Sequence, residues 1–156
     1  RVRESVFNVL SNRGIFGTHV LDIFSGTGAV AIEALSRGAA HAVAVDFKTG
    51  KLILENAKHC HVEDRLEIIP RKLSQLKNYI MGRQFDYISD PPYENGFIQE
   101  TIDMVVDCDL LKPEGVLLLE HHKDEAFTLP ESWKCIKEQK FGYTIVSYFV
   151  NTAERS

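Results

Sequence analysis

Five short apolar runs alternate with segments of helical periodicity, and this alternation constrains the fold more than any other feature of the chain. The runs are HVLDIF (19–24), AHAVAVD (40–46), LEIIP (66–70), FDYIS (85–89) and GVLLLEH (115–121). Near-continuous apolar strands separated by helices predict a parallel sheet buried on both faces. The spacing predicts helices over 26–38, over about 49–59, around Leu73, Leu76 and Ile80 with a stop near Gly82, and over about 97–107. Ahead of the first strand, Val2, Val6, Val9 and Leu10 recur at helical spacing, so 1–12 reads as an amphipathic helix ended by Gly14 and Gly17. After the fifth run the pattern changes. WKCIKEQKFG and YTIVSYFV read as two strands meeting at Gly142, a hairpin that brings one antiparallel strand into the sheet, with Trp133 and Phe141 packing within it. The intervening HHKDEAFTLPES is short for a crossover helix and predicts a loop or a single helical turn.

A chain of 156 residues that is 44% hydrophobic suits one domain with a full core. Its formal charge of -4 does not advertise a nucleic-acid partner, although an enzyme that only visits a nucleic acid need not be basic overall. Cys60, Cys108 and Cys135 are too few and too scattered for a disulfide framework, which fits a reducing, cytoplasmic setting. His59-Cys60-His61 has no second ligand pair at a zinc spacing, so no metal is expected. No apolar stretch is long enough to span a membrane. The chain opens on Arg1 rather than Met, and a further segment upstream is expected.

Open parallel sheets bind ligands beyond the carboxyl ends of their strands. The first strand ends in Asp22-Ile23-Phe24, and Ser25-Gly26-Thr27-Gly28 then turns directly into a helix. Glycines there permit a tight turn and close approach of backbone to a ligand, and Ala31 stands where a dinucleotide fingerprint tolerates Gly or Ala. Asp46, followed by Phe47, ends the second strand and is placed to accept hydrogen bonds from both ribose hydroxyls of a nucleoside. This much fits NAD as well as S-adenosylmethionine. Asp22 favours the second, because a carboxylate near the turn repels a pyrophosphate but suits a ligand ammonium, directly or through water. The structural alternative is a buried Asp22 that caps the backbone of the turn.

The fourth strand runs into Asp90-Pro91-Pro92-Tyr93. The prolines fix the local backbone and give up no N–H. Asp90 and the Pro91 carbonyl are two acceptors able to grip one exocyclic NH2 of a base and aim its lone pair at an electrophilic methyl, while Tyr93 offers a ring for stacking. Asp90 need not be a strong base, since the amine can lose its proton after attack. Such a base must be presented unstacked. Arg1, Arg3 and Arg13, or Arg71 and Lys72, are candidates for phosphate contacts, and a solvated helix face accounts for each equally well. Phe97 lines the base pocket or packs in the core, and Glu94 and Asn95 belong to the same loop. His121 and His122 read as strand-end residues rather than catalysts. None of the cysteines has a partner base in view.

VLDIFSGTGAVAIEALSRGA (20–39) resembles the cofactor motif of class I S-adenosylmethionine-dependent methyltransferases, and DPPY (90–93) resembles their motif for methylating a nitrogen. More narrowly, RVRESVFNVL, the DIFSGTG turn, EALSRGA and DPPY, in this order, resemble the RsmD family. That resemblance implies a Rossmann-like, mostly parallel seven-stranded sheet of order 3-2-1-4-5-7-6, with helices on both faces and a C-terminal antiparallel hairpin. It implies S-adenosylmethionine as cofactor, the N2 amine of a guanine in 16S ribosomal RNA as target, and that RNA or the assembling small subunit as partner. A monomer is expected. It assigns Asp22, Phe24, Ser25, Gly26, Thr27, Gly28, Asp46 and Phe47 to the cofactor, and Asp90, Pro91, Pro92 and Tyr93 to catalysis. Arg1, Arg3, Tyr93 and Phe97 fall to the substrate. Relatives carry an acidic residue just after the third strand, where this chain has Pro70-Arg71-Lys72, so backbone groups and apolar contacts would hold the adenine. Methylation of DNA at adenine N6 or cytosine N4 and a non-catalytic RNA-binding role remain as alternatives. The small chain leaves little room for a domain that reads DNA sequence.

Overall fold

The computed structural model describes residues 2–90 and 97–153. Seven strands form a sheet in the order β3-β2-β1-β4-β5-β7-β6, flanked by helices. The elements run α1 (Val2–Arg13), β1 (His19–Ile23), α2 (Ala29–Ser36), β2 (His41–Val45), α3 (Gly50–His59), β3 (Leu66–Ile69), α4 (Leu73–Ile80), β4 (Phe85–Asp90), α5 (Ile98–Asp107), β5 (Leu111–His122), β6 (Trp133–Phe141) and β7 (Thr144–Asn151). This is the Rossmann-like class I methyltransferase fold expected from the sequence. The chain divides into two compact units, one up to Pro70 and one from Arg71 onward.

In the first unit β1 pairs with β2, and β2 with β3, all parallel. Small residues set the packing. Ala31 and Ala34 on α2 and Ala42 and Ala44 on β2 are buried, and their short side chains let helix and sheet approach closely. α1 buries Val6, Phe7 and Leu10, whereas Val2 and Val9 are only half-buried. The apolar stripe is therefore turned toward Phe7, which the valine spacing missed. Arg37 lies against this face: its guanidinium is 5.1 Å from the Phe7 ring centroid while it donates to Glu33 Oε2 at 2.9 Å and Ser11 Oγ at 3.0 Å. A second arginine closes α2. Arg65, in a 3-10 turn before β3, donates to the carbonyls of Ala39 (2.6 Å) and Leu35 (3.1 Å), tying the end of α2 to that turn.

In the second unit β4 and β5 are parallel, and β7 pairs antiparallel with both β5 and β6. α4 buries Leu73, Leu76 and Ile80, the three residues whose spacing predicts it. β5 begins at Leu111, earlier than the sequence suggests. Its register against β4 jumps from Phe85↔Leu111 to Tyr87↔Val116, so Pro113–Gly115 is an irregularity inside the strand and not a turn leading into it. Gly115 is required there, because a Cβ would sit 2.9 Å from the Lys112 carbonyl oxygen and 3.0 Å from that of Phe85.

The stretch between β5 and β6 forms no helix. Phe127 packs edge-on against His121 (5.0 Å between centroids) and Phe149 (6.2 Å), and Gln99 of α5 exchanges two hydrogen bonds with the Thr128 backbone, at 2.7 and 3.1 Å. Tyr148 is wholly buried in β7 and donates its hydroxyl to Gln139 Oε1 at 2.7 Å, with burial pushing the phenol up to about 12. Among the described residues no helix is long and apolar enough to cross a membrane.

Candidate functional site

In the first unit, candidate residues cluster at the turn between β1 and α2. Three residues there have positive φ at alternating positions: Phe24 (54°), Gly26 (61°) and Gly28 (81°). For Phe24 this left-handed backbone carries strain of roughly 1–3 kcal/mol, which persists only where surroundings impose it. The imposing contacts are identifiable. Ser25 N–H donates to the Val45 carbonyl at 2.9 Å, and Gly28 N–H to the Ser25 carbonyl at 2.9 Å. α2 starts at Ala29 with Gly28 as its N-cap, three residues later than the sequence pattern suggests, because 26–28 are consumed by the turn. At Gly28 a Cβ would come within 3.0 Å of Ile53 Cγ2, so the residue is held by packing as well as by its φ.

Two carboxylates brace this turn in different ways. Asp22 is buried (1% exposed), and its Oδ2 accepts from Ser25 Oγ at 2.6 Å and from Ala31 N–H at 3.2 Å. Burial pushes its carboxyl up to about 6, and the neighbouring Asp46 charge pushes the same way. Asp22 thus ties the Ser25 hydroxyl of the turn to the first turn of α2. Asp46 is half-buried; its Oδ2 accepts from Gly26 N–H and its Oδ1 from Lys48 N–H, both at 2.9 Å. An ionised carboxylate has about four lone-pair sites, so these two bonds leave Asp46 acceptor capacity for further donors. Phe47, 38% exposed, follows it with the Lys48 ammonium 5.3 Å from its ring centroid.

A further side chain grips the turn and was missed in the sequence. Asn56 of α3 donates its amide Nδ2 to the Thr27 carbonyl at 2.8 Å. Nothing in the linear pattern marks it, because it sits among polar residues on an exposed helix flank. Thr27 and Asn56 also line an open pocket of about 350 Å³, together with Arg3, Glu33, Ser36 and His59.

In the second unit, the end of β4 carries a candidate residue. Asp90 is the last residue of that strand, pairs with Leu119 of β5, and is buried (3% exposed). Phe97 is the half-buried N-cap of α5, and its carbonyl accepts from Thr101 N–H at 2.9 Å. Pro91, Pro92 and Tyr93, with Glu94 and Asn95, lie outside the described residues, as does Arg1.

Several other candidates have structural partners. Arg3 is exposed and pairs with Glu33 at 3.3 Å. Arg71 Nε donates to Tyr79 Oη at 2.9 Å. His121 is buried, with Nε2 2.8 Å from Ser147 Oγ and Nδ1 3.0 Å from the His122 carbonyl, a strand-end role. Cys108 is buried, and burial pushes its thiol up, away from thiolate character. Among the described residues no group of three His, Cys, Asp or Glu side chains is arranged to hold a metal ion.

Residues 1–150 match the family described as "Conserved hypothetical protein 95". The chain belongs to this family. The matched span of this Conserved hypothetical protein 95 member contains Asp22, the glycine turn, Asp46 and Asp90. Ribosomal RNA small subunit methyltransferase D of Haemophilus influenzae is 31% identical, over 95% of this chain and 78% of that protein. Among solved structures, a putative methyltransferase of Escherichia coli, yhhF, superposes with a TM-score of 0.88 at 27% identity, covering 99% of this chain and 88% of that one. An RNA methyltransferase of Salinibacter ruber, solved with S-adenosyl-L-homocysteine, shares the fold with a TM-score of 0.74 at 17% identity, over 98% of this chain and 94% of that one. The chain is therefore a class I S-adenosylmethionine-dependent methyltransferase in fold, homologous to ribosomal RNA methyltransferases.

Proposed function

We propose that this protein transfers a methyl group from S-adenosylmethionine to the exocyclic N2 amine of a guanine in 16S ribosomal RNA, free or in the assembling small subunit. The observation that carries the reading is the glycine turn braced by two carboxylates, in a chain whose relatives include ribosomal RNA small subunit methyltransferase D. The residues present fit the cofactor. A Cβ at Gly26 would meet nothing within 4 Å, so the turn offers bare backbone on that side. Asp46 has acceptor capacity for a ribose diol. The buried charge of Asp22 behind the turn disfavours a pyrophosphate and tolerates an ammonium. Phe24, Ser25, Thr27 and Phe47 complete the proposed cradle.

When bound, the cofactor supplies an electrophilic methyl carbon on a sulfonium; the S–CH3 bond breaks as the N–CH3 bond forms, and S-adenosylhomocysteine leaves. The chain's own work is positioning. Asp90 and the Pro91 carbonyl accept from the two amine hydrogens and orient the nitrogen lone pair, with Pro92 stiffening the segment and Tyr93 and Phe97 flanking the base. The amine proton departs after attack, to Asp90 or to water. Arg1 and Arg3 are assigned to phosphates of the substrate. Asp90 is the last residue of β4, and the glycine turn follows the last residue of β1.

The test is transfer of tritiated methyl to small subunits from a strain lacking the activity, followed by nucleoside mapping, with DNA duplexes alongside. N2-methylguanosine is expected in RNA. Asp90→Ala is expected to lose at least ~100-fold in rate while keeping cofactor affinity. Label on DNA, or undiminished transfer by Asp90→Ala, overturns the assignment.

A further inference from the structure

The segment from Arg71 to Arg83, RKLSQLKNYIMGR, holds four cations and no carboxylate, in a chain whose formal charge is -4. Its helix, α4, has two unlike flanks. On one, Lys77 faces a groove of about 260 Å³ shared with Glu100, Asp103 and Asp107 of α5. An RNA backbone is repelled there. On the other flank, Lys72, Gln75 and Tyr79 fall at helical spacing, all exposed, with Arg71 beside them. Tyr79 leaves 47% of its surface exposed, and the Arg71 guanidinium lies 5.4 Å from its ring centroid while Nε donates to Tyr79 Oη.

We infer that this flank of α4 is a contact surface for the RNA strand next to the target base, with Arg71 and Lys72 meeting phosphates and Tyr79 holding the arginine in place. Charge sign, planar donors and an exposed ring are what phosphodiester and unstacked bases select. An arginine already held on a ring loses less side-chain freedom when it binds. The location fits as well. Only residues 81–84 join α4 to β4, so the chain doubles back and the helix start lies at the same end as the strand's last residue, Asp90. The inference rests on the proposed RNA methylation and adds to it a surface outside the reacting groups.

The experiment compares wild type with Arg71→Glu/Lys72→Glu, Lys77→Glu, Tyr79→Phe and Tyr79→Ala, all checked for an unchanged melting temperature. It measures steady-state methylation of unmethylated small subunits at several salt concentrations, and S-adenosylmethionine affinity by calorimetry. The double reversal is expected to raise KM for the subunit by about 30-fold near 0.1 M salt and to make the salt slope shallower by about 1.5. The maximal rate and cofactor affinity should stay within about twofold of wild type, and Lys77→Glu should behave as wild type. Tyr79→Ala is expected to raise KM by about fivefold and Tyr79→Phe to restore most of it, since the ring is what the guanidinium rests on. Unchanged KM and salt slope in the double reversal, an equal effect from Lys77→Glu, or a matching loss of cofactor affinity overturns the inference. Failure of wild type to methylate RNA at all would instead sink the proposed function.

Discussion

The glycine turn after β1 and the loop that joins β5 to β6 are both irregular segments, and they are held in opposite ways. The turn is pinned by side chains: Asp46 accepts from the Gly26 N–H, Asn56 donates to the Thr27 carbonyl, and Asp22 holds the Ser25 hydroxyl together with the Ala31 N–H of α2. It contains three residues in the left-handed region and leaves bare backbone on one side at Gly26. The β5–β6 loop is pinned mainly by one ring, Phe127, against His121 and Phe149, with the Gln99 amide fastening Thr128. A segment that must present backbone to a ligand needs directional bonds, because each donor has to point one way. A segment that only covers the sheet needs apolar area, which is indifferent to direction.

This contrast can be broken at several points. The largest effect is expected from pH acting on Asp22. Its carboxyl is raised from 3.8 to about 6, so the folded state binds the proton more tightly than the unfolded chain. The contribution of Asp22 to stability should therefore rise as pH falls from about 7 to 4, by roughly 3 kcal/mol at most, and level off below. Denaturant unfolding across that range, compared with Asp22→Asn, isolates the contribution. The same slope in both proteins would show that Asp22 is not its source.

Next comes Asp46→Ala, expected to weaken S-adenosylmethionine binding by about 100-fold through loss of the proposed charge-assisted bonds to the ribose and of the Gly26 tether. Calorimetry measures it, and unchanged affinity would remove Asp46 from the cradle. Phe127→Ala is expected to cost about 2 kcal/mol of stability, since the ring is half-buried, while activity per folded molecule holds. A loss of activity without a loss of stability would erase the distinction between grip and cover. The smallest effect is assigned to Asn56→Ala: about 1 kcal/mol, read as a roughly fivefold loss of cofactor affinity.

Much of the architecture was legible because burial on both faces of a parallel sheet writes itself as apolar runs. HVLDIF, AHAVAVD and FDYIS each became a strand within a residue or two of its expected ends. The residues bracing the turn were partly legible: Asp22, Gly26, Gly28 and Asp46 stand at strand ends, where the pattern points. Asn56 was not, because an amide on an exposed helix flank looks like any solvated residue until its partner carbonyl is known. The irregularity at Pro113–Gly115 was not legible either, since proline and glycine mark turns and bulges alike.

By itself the sequence determined the strand and helix content, the glycine turn, and the two carboxylates beside it, because periodicity and backbone freedom are local properties. Only the tertiary structure decided that Asp22 holds the Ser25 hydroxyl and the Ala31 N–H of α2, that Arg65 and Arg37 steady the end of α2, and that a loop rather than a helix lies between β5 and β6. Those outcomes depend on which distant groups arrive within hydrogen-bonding or contact range, and no spacing along the chain encodes that distance.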